Sequence, residues 1–376
     1  MLHNGISPFE RFTAAGRDLP RLPVPPLEAT VARYVASVAA VASPAEFRET
    51  ALHALRFLQQ GGATSGPALH RALLKRADEA GIDRSYLINW WNQLMYTAWR
   101  EPLPINVSYW YCLGESTFSA LDAAAAKAGL VRPPSFRAAA LVLGAAAFRD
   151  RVWTRGEALE GAPGAKAPPL DGSMFRYIFH ACRLPRVDDD GVRVYDGAGP
   201  TAPSDAIVVI RRGRLYAVSL ADTAQAGAAA RVSWPELTRR IDAAVAHADA
   251  VTASEGAGSA SAGVGLGVLT AGHRNTWAAA AVALTGGEAP RRPSHGVGVR
   301  ADPGAELPAP LCAADAHNLR VLTTIESSLL VLCMDDTRSA SIDSRSLSLL
   351  VGNAHNRWFG ESGRKSLVEA GGGRQA

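Results

Sequence analysis

Two short apolar runs, Ala206–Ile210 and Leu215–Leu220, flank Arg211-Arg212-Gly213-Arg214, and this arrangement leaves the chain few options. Val, Ile and Tyr favour extended backbone, and a glycine between the runs supplies the positive φ that a tight turn needs. The pair therefore reads as two strands joined by a tight turn. Two strands are at best marginal alone in water, so apolar side chains elsewhere must cover them. Helical segments read on both sides of the pair. Phe47, Leu52, Leu55 and Leu58 recur at helical spacing before the pair, and Trp234 to Val251 reads as helix after it. With helices first and mixed strands and helices later, the class is α/β or α+β. The 376 residues, 48% apolar and 20% charged, suffice for a large buried core and exclude a disordered chain or a disulfide scaffold. The longest helix-forming apolar stretch, Ala138 to Phe148, is bracketed by Arg137 and Arg149 and is too short to span a bilayer.

Residues 19–34, LPRLPVPPLEATVARY, open with four prolines in seven positions and then turn helical. Proline fixes φ and donates no hydrogen bond, so the opening predicts an extended strap along a surface, with Thr30 as a candidate cap for the helix. The segment Leu87 to Trp99 is the most informative helix. Leu87, Trp90, Trp91, Leu94, Met95 and Ala98 form one apolar stripe at i, i+3, i+4, i+7, i+8 and i+11. At about 100° per residue, Tyr96 falls nearly opposite that stripe. Either Tyr96 is exposed, or the helix has a second buried side such as a pocket. Further helix is expected over Thr117 to Arg151 and from about Asn275, and Ile325 to Met334 reads as a buried strand or a short helix.

Composition narrows the chemistry. The formal charge is +4, but only Lys75, Lys127, Lys166 and Lys365 are lysines, and the arginines are scattered rather than clustered. That excludes the basic face of a nucleic-acid binder. Four cysteines far apart, with no C-x-x-C, argue against structural zinc and suit a reducing, intracellular compartment. The N-terminus has no apolar signal core, and its acidic residues make a poor mitochondrial presequence. GVGLG (263–267) lacks the pattern of a dinucleotide or P-loop fingerprint and reads as a flexible connection. His180 and Cys182, two apart in a strand, would face the same side as a structural pair. Asp188-Asp189-Asp190 lacks the interleaved ligands of a cation loop and reads as a turn with solvated charge.

Seven segments, in order, resemble the choline/carnitine acyltransferase family. They are LPRLPVPPLEATVARY (19–34), WWNQLMYTAWREPLPINVSYWY (90–111), MFRYIFHACRLP (174–185), IVVIRRGRLYAV (207–218), LGVLTAGHRNTWA (266–278), IESSLLVLCMDD (325–336) and NRWF (356–359). MFRYIFHACRLP and PINVSYWY look closest to the fungal carnitine acetyltransferase branch. The resemblance implies a chloramphenicol acetyltransferase-like α/β fold of two similar domains. Carnitine and acyl-CoA would meet in a tunnel, a histidine would serve as base, and a complete chain would be a monomer. CoA is a co-substrate there, and no bound cofactor or metal is implied. Trp91 and Tyr96 match positions that line the carnitine pocket in the family, and mitochondria or peroxisomes are the implied compartments.

One departure accompanies the match. In the family, NRWF is followed by a strand and a histidine in H-x-x-x-D-G, whereas here it runs into GESGRKSLVEAGGGRQA. None of the nine histidines has an aspartate four residues later. The expectation is an N-terminal portion, truncated before the catalytic histidine and inactive by itself. A carnitine-binding or docking module, or a fragment of a mis-predicted gene, are the alternatives. Residues 1–82 would form a strap and helices packing on a C-terminal domain that the chain lacks. Residues 83–359 would form the N-terminal acyltransferase domain, and 360–376 a divergent Gly/Arg-rich tail.

Overall fold

Pro26 sets where the first helix begins. Its extended ψ of 137° ends the proline-rich strap, and α1 (Leu27–Val38) starts at the next residue. Thr30 is therefore not the cap. It lies inside the first turn, where its hydroxyl donates to the Pro26 carbonyl at 2.9 Å. The computed structural model describes residues 22–79, 85–100, 110–111, 127–129, 133–153, 175, 177–197, 202–222, 231–255, 273–285, 316–335 and 341–351. The run expected over PINVSYWY lies mostly outside these residues, as do the Pro-rich loop at 289–310, NRWF and the tail. The chain divides into two compact units, Met1–Leu94 with Ala158–Ser173 and Met95–Glu157 with Met174–Ala376.

In the first unit α1 is followed by α2 (Pro44–Gln59) and α3 (Gly66–Glu79). A capping box starts α2: the Glu46 carboxylate accepts from the Ser43 amide at 2.8 Å, and the Ser43 hydroxyl accepts from the Glu46 amide at 3.4 Å. Pro44 at the first helical position gives up an amide that would have no partner there. Val31 and Ala54 are buried, while Leu52, Leu55, Leu69 and Leu74 stay exposed. Ile88–Asn92 forms α4, the first half of the helix expected over 87–99.

The second unit is built on a three-stranded sheet with the order β4-β3-β5. Here β3 is Ala206–Arg211, β4 is Arg214–Ser219 and β5 is Val331–Cys333. The hairpin read from the two apolar runs is β3–β4, antiparallel, with Arg211 opposite Arg214. Arg212 and Gly213 have φ of 49° and 73°, both positive, as a two-residue type I′ turn requires. Strand β5 runs parallel to β3, with Val208 opposite Val331. Parallel pairing needs a covered crossover, and every residue of β3 is buried.

Two helices account for much of that cover. In α6 (Trp234–Glu255), Leu237, Ile241, Ala244 and Ala248 are buried at i, i+4, i+7 and i+11. Arg211 reaches the α6 residue Asp249 at 2.8 Å, which sets α6 against the face carrying Ile207 and Val209. The opposite face, Val208 and Ile210, packs with Cys333 and with Ile325. Ile325 belongs to α8 (Ala316–Ser327), so the stretch Ile325 to Met334 holds both expected structures, a helix end and then a strand. Helix α5 (Pro134–Trp153) joins α6 through the rings of Phe136 and Trp234, 4.3 Å apart, and Trp234 Nε1 donates to the Phe136 carbonyl at 2.7 Å. A separate hairpin, β1 (Ala181–Leu184) with β2 (Gly191–Val194), precedes the sheet. The remaining helices are α7 (Arg274–Thr285) and α9 (Ile342–Val351). Among the described residues, no helix is long and apolar enough to cross a membrane.

Two glycines test this account in opposite directions. Gly213 sits at positive φ, so Gly213→Val is expected to cost about 1–2 kcal/mol. Gly144 lies exposed inside α5, where an added Cβ would meet no atom within 4 Å. Gly144→Ala is expected to add roughly 1 kcal/mol, and equilibrium urea denaturation reads both changes.

Candidate functional site

The helix expected over Leu87–Trp99 does not keep α-helical winding. After α4 the backbone widens into a π-helical turn over Gln93–Thr97. The Gln93 amide is shared between the carbonyls of Asn89 and Trp90 at the junction. Each i→i+5 turn rotates the following residues out of the α-helical register, so the stripe read at 3.6 residues per turn does not continue through it. Nor is the stripe buried: Leu87, Trp90, Trp91, Leu94 and Met95 are all exposed. Trp91 is 53% exposed and Tyr96 56% exposed, so the exposed alternative for Tyr96 is the one found. In the first unit, Trp90 is covered by the Arg76 guanidinium, 4.1 Å from its ring centroid, and Arg76 Nε donates to the Tyr86 carbonyl at 3.1 Å. A π-turn amid exposed aromatics is the kind of local irregularity that clusters at functional positions.

Beyond the π-turn, in the second unit, the chain meets a charged hub that the sequence reading did not find. Asp190 is fully buried and receives Arg100 Nη1 at 2.9 Å, Arg274 Nε at 2.7 Å and Arg183 Nε. The Arg186 amide donates to it at 3.1 Å. Arg100 also donates to the Arg186 carbonyl at 3.0 Å, and its side chain is only 3% exposed. Burial pushes the Asp190 carboxyl up, but the Arg186 amide and the guanidinium groups of Arg274, Arg100 and Arg183 outweigh it, so the carboxyl sits below its ordinary value. The reading of Asp188-Asp189-Asp190 as a turn with solvated charge is therefore corrected at its last member. Asp188, at φ 66°, does form a turn and pairs with Asn275. Gly191 leaves room for Arg186, because a Cβ there would lie 2.7 Å from the guanidinium carbon. The missed signal was the guanidinium groups of Arg100, Arg183 and Arg274 meeting at one acidic residue, two of them brought there from distant parts of the chain.

His180 and Cys182 are not a pair. His180 precedes β1, and its φ of 48° turns it away from the strand alternation. Its Nδ1 lies 2.8 Å from the Ser327 carbonyl, which can only accept, so Nδ1 carries the hydrogen. Nε2 is then an acceptor, and Arg149 Nη2 donates to it at 3.1 Å. Burial, only partly offset by the Ser327 carbonyl, pushes the His180 pKa down to about 4. Both ring nitrogens are committed, which leaves no lone pair to take a substrate proton. Burial holds the Cys182 thiol at about 12, far from a thiolate at neutral pH. Nearby, Tyr195 donates to Glu326 at 2.7 Å, and burial raises the pKa of both groups. Among the described residues, no three His, Cys, Asp or Glu side chains are grouped to hold a metal ion.

Comparison with known proteins identifies the scaffold. A family model described as Choline/Carnitine o-acyltransferase matches residues 22–289 and 301–363. The chain is 27% identical to peroxisomal carnitine O-octanoyltransferase of Homo sapiens, over 92% of this chain and 48% of that protein. It is 25% identical to choline O-acetyltransferase of Drosophila melanogaster, over 87% of this chain and 38% of that protein. It is 26% identical to mitochondrial carnitine O-palmitoyltransferase 2 of Xenopus tropicalis, over 94% and 48% respectively. The chain thus spans about half the length of the curated relatives it matches. With the family model covering most of its length, the chain belongs to the choline/carnitine O-acyltransferase family.

Proposed function

We propose that this chain forms the carnitine-facing half of a carnitine O-acyltransferase of the short-chain, acetyl type, on a chloramphenicol acetyltransferase-like fold. In that reaction the carnitine hydroxyl oxygen attacks the thioester carbonyl of acyl-CoA. The C–S bond breaks as the C–O bond forms, and the hydroxyl proton passes through a base to the departing CoA sulfur. The reading rests on one observation above all: the family match runs through the segment that presents Trp91 and Tyr96 to solvent. An exposed indole face suits the quaternary ammonium of carnitine, and a free phenol suits its carboxylate. The acetyl preference rests on MFRYIFHACRLP and PINVSYWY, because the relatives above carry octanoyl, acetyl and palmitoyl in their names. Those names also say peroxisomal and mitochondrial, and we propose an organelle of that kind.

The base is the part these residues do not supply. No H-x-x-x-D-G occurs in the 376 residues, and His180 has no free nitrogen. A polypeptide of these residues alone should therefore bind carnitine without turning it over. With acetyl-CoA and carnitine, CoA release is expected to match a heat-killed control. Calorimetry with carnitine should show binding that Trp91→Ala and Tyr96→Phe each weaken about tenfold, the scale of a lost cation–π contact or charged hydrogen bond. Turnover above the control would overturn the missing base, and no carnitine binding would overturn the substrate reading.

A further inference from the structure

We infer that Asp190 is a positioning residue for Tyr96, acting through the carbonyl of Thr97 and the side chain of Arg100; its bearing on substrate rests on the reading that Tyr96 meets carnitine. From Leu87 to Trp99 no residue is buried, so apolar packing does not fix the π-turn that carries Tyr96. Five helical residues followed by a π-turn cannot hold themselves either, because helix nucleation is unfavourable at that length.

Among the described residues, polar contacts on the Tyr96 side of the turn meet at Asp190. The Asp190 amide donates to the Thr97 carbonyl, directly after Tyr96, at 3.0 Å. The Asp190 carboxylate holds Arg100, three residues further on and buried. Arg183, itself paired to Asp190, adds a second donor to the Thr97 carbonyl at 3.5 Å. Residues 97 and 100 are thereby tied to a single point on the β1–β2 connection, and the backbone of Tyr96 inherits its direction from that tie. Asp190 is itself fully enclosed and has no path to a substrate, so its effect on one must pass through Tyr96.

The test places 3-fluorotyrosine at position 96 and, in a second preparation, at position 34, which is exposed on α1. Fluorine NMR is recorded for the unaltered chain, Arg183→Gln and Asp190→Asn. Arg183 is 38% exposed, so its variant should stay folded, and it decides alone should Asp190→Asn fail to fold. The expected result is a shifted or broadened signal at 96, an unmoved signal at 34, and carnitine affinity reduced about tenfold. An unmoved signal at 96 in folded Arg183→Gln would overturn the inference. If the signal at 96 responds but the unaltered chain binds no carnitine, Asp190 still positions Tyr96 and only the substrate reading fails.

Discussion

Asp190→Ala is expected to destabilise the second unit by about 3–5 kcal/mol, the scale set by removing one partner from a buried ion pair. The size follows from what is left behind. Arg100 is only 3% exposed and would lose the carboxylate it meets at 2.9 Å, with its charge held away from water. Arg274 and Arg183 would lose the same acceptor, leaving three guanidinium groups to repel one another. Against a typical total stability of about 5–15 kcal/mol, that loss is a large fraction. Glu236 supplies the contrast. Arg239 and Arg240 hold its carboxyl at about 2, yet the group lies at the surface, its side chain 32% exposed, where screening removes much of the benefit. Glu236→Ala should move the guanidinium-chloride midpoint little, whereas Asp190→Ala should move it far toward zero denaturant. Equal shifts in the two variants would mean that the hub is not load-carrying.

The contrast between those carboxylates also shows what could be read from the sequence and what could not. The β3–β4 hairpin was legible because its signals are local: two apolar runs, and a glycine where the turn requires φ of 73°. Helix α6 was legible because its stripe of Leu237, Ile241, Ala244 and Ala248 keeps the α-helical period throughout. The segment 87–99 carries just as regular a stripe, but period alone says nothing of winding, and the π-turn at Gln93–Thr97 breaks the register. It is also exposed, so the stripe marks no core within this chain's described residues. Asp190 was misread because two of its three guanidinium partners, Arg100 and Arg274, lie 90 and 84 residues away, distances at which charge pattern along a chain carries no information. His180 failed for a different reason. Strand alternation was applied to a residue whose positive φ places it outside the strand. The family resemblance, by contrast, drew on seven ordered segments at once, and the family model covers the same span.

His180 yields the second large effect, a loss of stability between about pH 6.5 and pH 4. Its ring is neutral in the folded chain because burial disfavours the imidazolium. The Ser327 carbonyl favours the charged form, but Arg149 and Arg231 oppose it, and Asp150 compensates only in part. In the unfolded chain the ring titrates near 6.5 and in the folded chain at about 4, so the unfolded state binds the extra proton throughout that window. Stability from this group is therefore complete above about pH 6.5, falls as acid is added, and is exhausted below about pH 4. At roughly 1.4 kcal/mol per unit, the depression amounts to about 3 kcal/mol. Among the neighbouring carboxylates, Glu326 is raised by burial, so it gains stability in acid and offsets part of the His180 loss. Asp150, Asp190 and Asp249 all sit below their ordinary 3.8, so their own losses begin where that of His180 is ending. His180→Asn is the informative variant, because asparagine tolerates positive φ and can still donate an N–H where Nδ1 does. It should be less stable than the unaltered chain at pH 8, since it forfeits the ring packing against Trp153 at 5.8 Å and the Arg149 contact. Its urea midpoint should then stay nearly flat from pH 7 to pH 4.5 while that of the unaltered chain falls. Parallel slopes for the two chains would show that His180 is already protonated when folded, which would also reopen it as a proton carrier.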